Sequence, residues 1–221
     1  MIRTIRTHLP PWAPTLLLLL LAAPLPGCSS DDGPTAPGGG GGSTAPTFAT
    51  TAELMTTFLS AFADTTPGLL NDVLADDFVF VLTAETSDQF PDFGSRLSRA
   101  LVLEVTASML HQGMLTNAAG LLLPGMDTID VPMFTQQGAW TPIPPGQEWA
   151  GMQSALFQVD FIWVRWQSSV LRSRGMLRVV VDPGAGVVQD WRIRAITDLT
   201  SSTKAAEDVP VGSVLCLYWE G

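Results

Sequence analysis

Few residues in this chain could do chemistry. Adjacent carboxylates, Asp76-Asp77, could divide general-acid and general-base work, His111 could move a proton, and Cys28 and Cys216 are the only thiols. Each lacks company. A general base must reach the proton it takes and needs a partner to orient it, and a lone histidine is more often a helix-surface or capping group. The Asp pair stands where a helix gives way to a strand, where a cap or turn is the ordinary finding. One histidine and one free cysteine cannot supply the three or four soft ligands of a metal site, so neither a metal nor a cofactor is expected. The chain has no Gly-x-Ser-x-Gly elbow, no His-Glu-x-x-His helix and no Gly-x-x-x-x-Gly-Lys loop. Cys216, within Val214-Leu215-Cys216-Leu217, reads as a small buried hydrophobe rather than a reactive thiol.

Two other sets of residues could bind rather than react. Phe58, Phe78, Phe80, Met109, His111, Phe161, Trp163 and Trp191 fall on elements that would surround a common interior, and rings with a few polar groups suit a small-molecule pocket. The same rings equally suit a core. Phe157 and Trp166 are placed on the same strands. The second set is basic: Arg165, Arg172, Arg174, Arg178, Arg192 and Arg194 share a span whose only acids are Asp182 and Asp190. Five of them, Arg172, Arg174, Arg178, Arg192 and Arg194, would share one face of a hairpin. That face is either a solvated surface balanced by acids, with Arg178 opposite Asp190 as a pair, or a docking face for an acidic protein partner or a second copy.

Charge narrows the partners. The chain holds 11 basic and 21 acidic residues, a net charge of −10. Such acidity disfavours nucleic acid and nonspecific attraction to an anionic bilayer. If the first 27 residues are removed, Arg3 and Arg6 go and no acid does, so 9 bases face 21 acids and the charge becomes −12.

The elements that must position these residues lie between Phe48 and Gly221, a length suited to one domain with its own core. Leu54, Phe58, Leu59 and Phe62 give Thr51–Asp64 a helical apolar stripe, with Thr51 as N-cap. Leu69–Leu74 reads as a short helix running into a strand at Asp76–Leu82, and Ser98–Gln112 as a third helix. Strand signals follow. Ile129, Val131 and Met133 alternate, Leu156–Trp166 is a long strand, and Leu171–Asp182 alternates with Leu177, Val179 and Val181 on one face and Arg172, Arg174 and Arg178 on the other. A Pro-Gly-Ala-Gly turn leads into Val187–Leu199, with Trp191, Ile193 and Ala195 opposed to Asp190, Arg192 and Arg194.

Two resemblances complete the reading. Basic Arg3 and Arg6, an apolar run over Leu16–Ala23 and the tetrad Leu25-Pro26-Gly27-Cys28 resemble a bacterial lipoprotein signal peptide, residues 1–27, with Pro26 where that family prefers a smaller residue. The resemblance implies cleavage before Cys28, lipid on its sulfur, and membrane attachment in the cell envelope. Ser29 in the next position implies the outer membrane. Residues 28–47, rich in Gly, Pro, Ser and Thr, lack core-forming side chains and read as a disordered tether.

From Thr51 to Leu199 the order of elements, with the junction Leu74-Ala75-Asp76-Asp77-Phe78 and the ending Trp191-Arg192-Ile193-Arg194, resembles the NTF2-like superfamily and its SnoaL-like branch. It implies an α+β cone, with N-terminal helices packed on a strongly curved antiparallel sheet around an apolar pocket. Members include enzymes and noncatalytic binders. Where the ketosteroid isomerase branch carries its general base, this chain has Leu82, followed by Thr83 in place of a proline; dehydratase-like members use a histidine and an aspartate, and beyond the signal only His111 remains. The expectation is therefore a noncatalytic envelope lipoprotein that binds a small apolar ligand or a protein partner. The alternative is a SnoaL-like envelope enzyme, of isomerase, dehydratase or hydrolase type, with an atypical acid or base.

Overall fold

The computed structural model describes residues 46–111, 113–166, 169–184, 189–200 and 208–219. The signal, Cys28 and nearly all of the tether lie outside them.

Helix α1, Thr51–Ala63, starts at a capping box. The Thr50 hydroxyl accepts from the Glu53 amide and the Glu53 carboxylate accepts from the Thr50 amide, so two otherwise orphaned donors are satisfied reciprocally. The cap is thus Thr50, one residue before the expected Thr51. The helix buries Leu54, Met55, Phe58, Ala61 and Phe62. A one-turn helix α2, Leu69–Val73, runs directly into strand β1, Leu74–Val81. Helix α3, Ala84–Gln89, is capped by the Thr83 hydroxyl, and a 3-10 turn, Pro91–Phe93, leads to short strand β2, Arg96–Ser98. Ser98 then caps α4, Arg99–Met109.

A small hairpin, β3 (Met114–Thr116) with β4 (Leu122–Pro124), stands apart from the main sheet. Long strands follow: β5, Met126–Pro142; β6, Gln153–Arg165; β7, Val170–Asp182; and β8, Arg192–Asp198. The main sheet has six strands in the order β2-β1-β8-β7-β6-β5. All its neighbours are antiparallel except β1 and β8, which run parallel. The architecture is α+β, with the N-terminal helices packed on an antiparallel-dominated sheet. Helix α5, Val211–Leu217, closes the described chain and is buried over nearly its whole length.

Bulges move side chains from the faces that simple alternation assigns. β5 is an edge strand, so Pro132 is tolerated there, at a register shift between Asp130 and Met133. Ile129, Val131 and Phe134 pack with the core, while Met133 stands opposite Asp160 on the other face. β8 has a similar shift: Val181 pairs with Ile193 but Val180 with Ala195, so Arg194 is the extra residue. Ile193 and Ile196 therefore enter the main core, and Ala195 moves to the outer face. There it packs with Val180 and with Ile143 from the chain that follows β5. The strand preceding β7 ends at Arg165, which leaves Trp166 in the turn and 39% exposed rather than inside.

Candidate functional site

The helices and sheet enclose one continuous apolar interior. Inward side chains of β6 place Phe157, Phe161 and Trp163 in a row. Phe134 tilts against Phe157 at 4.7 Å between ring centres, Phe161 stacks on Trp163 at 5.5 Å, and α1 supplies Phe62 edge-on to Phe161 at 6.1 Å. The Trp163 indole, 1% exposed, donates to the Ser173 hydroxyl at 2.9 Å, so its one polar atom is satisfied. Such ring pairs contribute about 0.5–1.5 kcal/mol each beyond burial.

At the centre is a cavity of about 30 Å³, where ligand pockets run to roughly 300–1,000 Å³. Its wall includes Phe58, Phe78, Phe80, Phe161 and Trp163, together with Val211 and Leu215 of α5. Among the described residues every lining side chain is apolar. Five of the eight proposed pocket residues thus meet at one cavity. Met109 is fully buried and Trp191 nearly so, but neither lines it. His111 lies just beyond α4, is exposed, and is also absent from the wall.

Asp76 and Asp77 are neither a cap nor a buried dyad. Both are exposed within β1, where the register against β8 shifts between Leu74 and Val79. Asp77 forms an ion pair with Arg194, the bulged residue of β8, and Asp182 lies 3.8 Å from the same guanidinium. The position of a general base in the isomerase branch falls on Leu82, 6% exposed in the core, and Thr83 caps α3.

The proposed basic face is largely paired. Arg172 makes a two-pronged bond to Asp160, at 2.8 and 2.5 Å, and Arg174 reaches the same carboxylate at 3.3 Å. Hydrogen bonding from Arg172, then its charge and Arg174, hold the Asp160 carboxyl below the usual carboxylate range despite its burial. Arg192 pairs with Asp190 at 2.9 Å, donates to the Pro46 carbonyl and lies over the Phe48 ring. Arg178 does not stand opposite Asp190. Its register partner is Thr197, and it donates to the Ser154 hydroxyl. The expected pairing fails because β8 starts only at Arg192, leaving Asp190 to bond the Phe48 amide.

Sequence reasoning missed Asp160 and Asp198. Asp198, 3% exposed, accepts from the amides of Thr200 and Gly212, the latter in the first turn of α5. Burial raises its pKa above the ordinary value against the pull of these bonds. The pair Thr86 and Ser213, joined by hydroxyls at 2.8 Å, holds the same turn. An acid followed by a small-residue helix start was the available signal. Cys216 is buried and its thiol is pushed up to about 12, which leaves it inert at neutral pH. No group of three or more metal-ligating side chains occurs among the described residues.

No known family model and no curated protein matches the sequence. Among solved structures the chain is similar to a conserved protein from Planctomyces limnophilus, at 11% identity over 72% of this chain and 94% of the other, TM-score 0.48. It is also similar to an NTF2-like superfamily protein from Salmonella enterica serovar Typhimurium, at 12% identity over 71% and 93%, TM-score 0.44. A third is an NTF2-like protein from Rhodospirillum rubrum, at 14% identity over 67% and 95%, TM-score 0.40.

Proposed function

We propose that the chain is a noncatalytic, NTF2-like module of the bacterial cell envelope, attached by lipid on Cys28, that acts through its surface. The supporting observation is the interior. A cone used for chemistry or for holding a ligand needs open volume and convergent polar groups, whereas this one is filled by apolar side chains down to about 30 Å³. A small apolar ligand larger than this volume would have to displace part of the wall, which includes Val211 and Leu215 of α5. A protein or lipid partner met outside is the simpler reading. The SnoaL-like enzyme alternative would need Asp198 or His111 inside the cavity. The first is taken up by backbone donors and the second is exposed.

The attachment is tested by fractionation. The natural chain should pellet with membranes after processing, and Cys28→Ser should appear in the soluble fraction with processing altered. A Cys28→Ser chain that still fractionates with membranes and is cut normally would refute the anchor. The filled interior is tested by denaturant unfolding of Phe161→Ala, which should cost about 3–5 kcal/mol if the ring fills a core.

A further inference from the structure

Five of the seven large apolar side chains that stand exposed among the described residues belong to one end of the molecule: Met114, Leu121, Leu122, Trp166 and Val170. Backbone bonds join their segments. The Gly125 amide donates to the Gly113 carbonyl, and the Trp166 amide to the Gly125 carbonyl, which sets Trp166, just past the end of β6, beside the base of the β3–β4 hairpin. Met114 lies opposite Pro124 and Leu122 opposite Thr116, so both project from the same hairpin face. Val170, at the start of β7, stands opposite Val164 near the same strand end and is 57% exposed.

The exposure is built in. Asn117, 7% exposed, accepts from the amides of Ala119 and Leu121 through its side-chain oxygen and donates to the Leu217 carbonyl. The Ala118 amide donates to the Trp219 carbonyl. The tip is therefore pinned to the end of α5 while Leu121 and Leu122, 54% and 64% exposed, are held outward. Apolar groups displayed on a fixed loop mark a binding surface rather than a frayed one.

From this we infer that the hairpin tip, with Trp166 and Val170, forms a lipid-insertion surface. Charge selects the occupant. The chain carries 21 acids, yet none occurs from Val105 to Met126 or from Phe161 to Val181, the stretches that build the patch; Asp127 is the first acid beyond it. Arg172 and Arg174 of the second stretch are engaged away from the patch with Asp160, and Arg178 with Ser154. A patch with no acid to desolvate suits the acyl boundary of a bilayer, with Trp166 at headgroup level. The inference goes beyond the Cys28 reading and stands without it. A lipid on Cys28 would make a weak patch sufficient by raising its effective concentration at the bilayer.

The test uses a chain starting at position 28 with Cys28→Ser, which retains the whole core because its first member is Phe48. Sedimentation with phosphatidylcholine vesicles should show binding that raised salt does not weaken. In Leu121→Asn/Leu122→Asn, with an unchanged thermal melt, the partition coefficient should fall by about tenfold or more, as expected for withdrawing two leucines from the interface. Absent binding, binding suppressed by salt, or binding unchanged in the double variant overturns the proposal. So does a concentration-dependent dimer that the variant abolishes without vesicle binding, which would assign the patch to a second copy. Carrying no lipid, this chain leaves the fractionation result on Cys28 independent.

Discussion

Asp160 shows how far one residue can set the behaviour of a surface. It stands on the outer face of β6, yet Arg172 and Arg174 cover it to 5% exposure. Its carboxyl titrates lower folded than unfolded, so the stability it contributes is present above the ordinary carboxylate pKa of about 3.9 and is lost as pH falls through its depressed folded value. Asp198 has the opposite sign: its raised carboxyl contributes stability below that ordinary value and loses it as pH rises. Melting temperature measured against pH should therefore show an acid-side fall that Asp160→Asn flattens. An unchanged profile in that variant would mean the pair is not maintained in solution. Little of this was legible beforehand. The arginine spacing showed a basic face, but Asp160 sits in an apolar strand with no local hint of its partners, and the Asp77–Arg194 pair depends on bulges in both β1 and β8.

At the scale of elements, the amphipathic segments were readable and the short ones were not. α1 and α4 carry a 3.6-residue apolar period, and β7 an alternation interrupted at Met176 and Val180, so their positions followed from sequence to within a few residues. α3, β2, β3 and β4 are too short to show a period. α5 was missed for another reason. Gly212 and Ser213 are weak helix formers, and the helix is held by packing and by Asp198 rather than by propensity. A Cβ at Gly212 would lie 2.6 Å from the Leu82 Cδ2 methyl, so a larger residue there obliges that buried side chain to shift. α5 is thus part of the core. Leu215→Ala should cost about 2–5 kcal/mol and should unfold in one transition with the rest of the domain. A separate, earlier transition would show that α5 melts on its own and that the interior opens without it.

For the whole molecule, the order of elements carried the α+β architecture, because helix and strand periods survive even where boundaries do not. The state of the interior was not legible. The same rings could line an open pocket or fill a core, and only their mutual distances and the position of α5 separate the two. The most direct test of the account is denaturant unfolding of Phe161→Ala. Phe161 is 2% exposed, packs against Phe62, Phe134 and Trp163, and touches the central cavity. In a filled core its truncation should cost about 3–5 kcal/mol with the cooperativity of unfolding unchanged. A cost below about 1 kcal/mol, the range of surface substitutions, would contradict the account and make the cone an open, ligand-ready pocket.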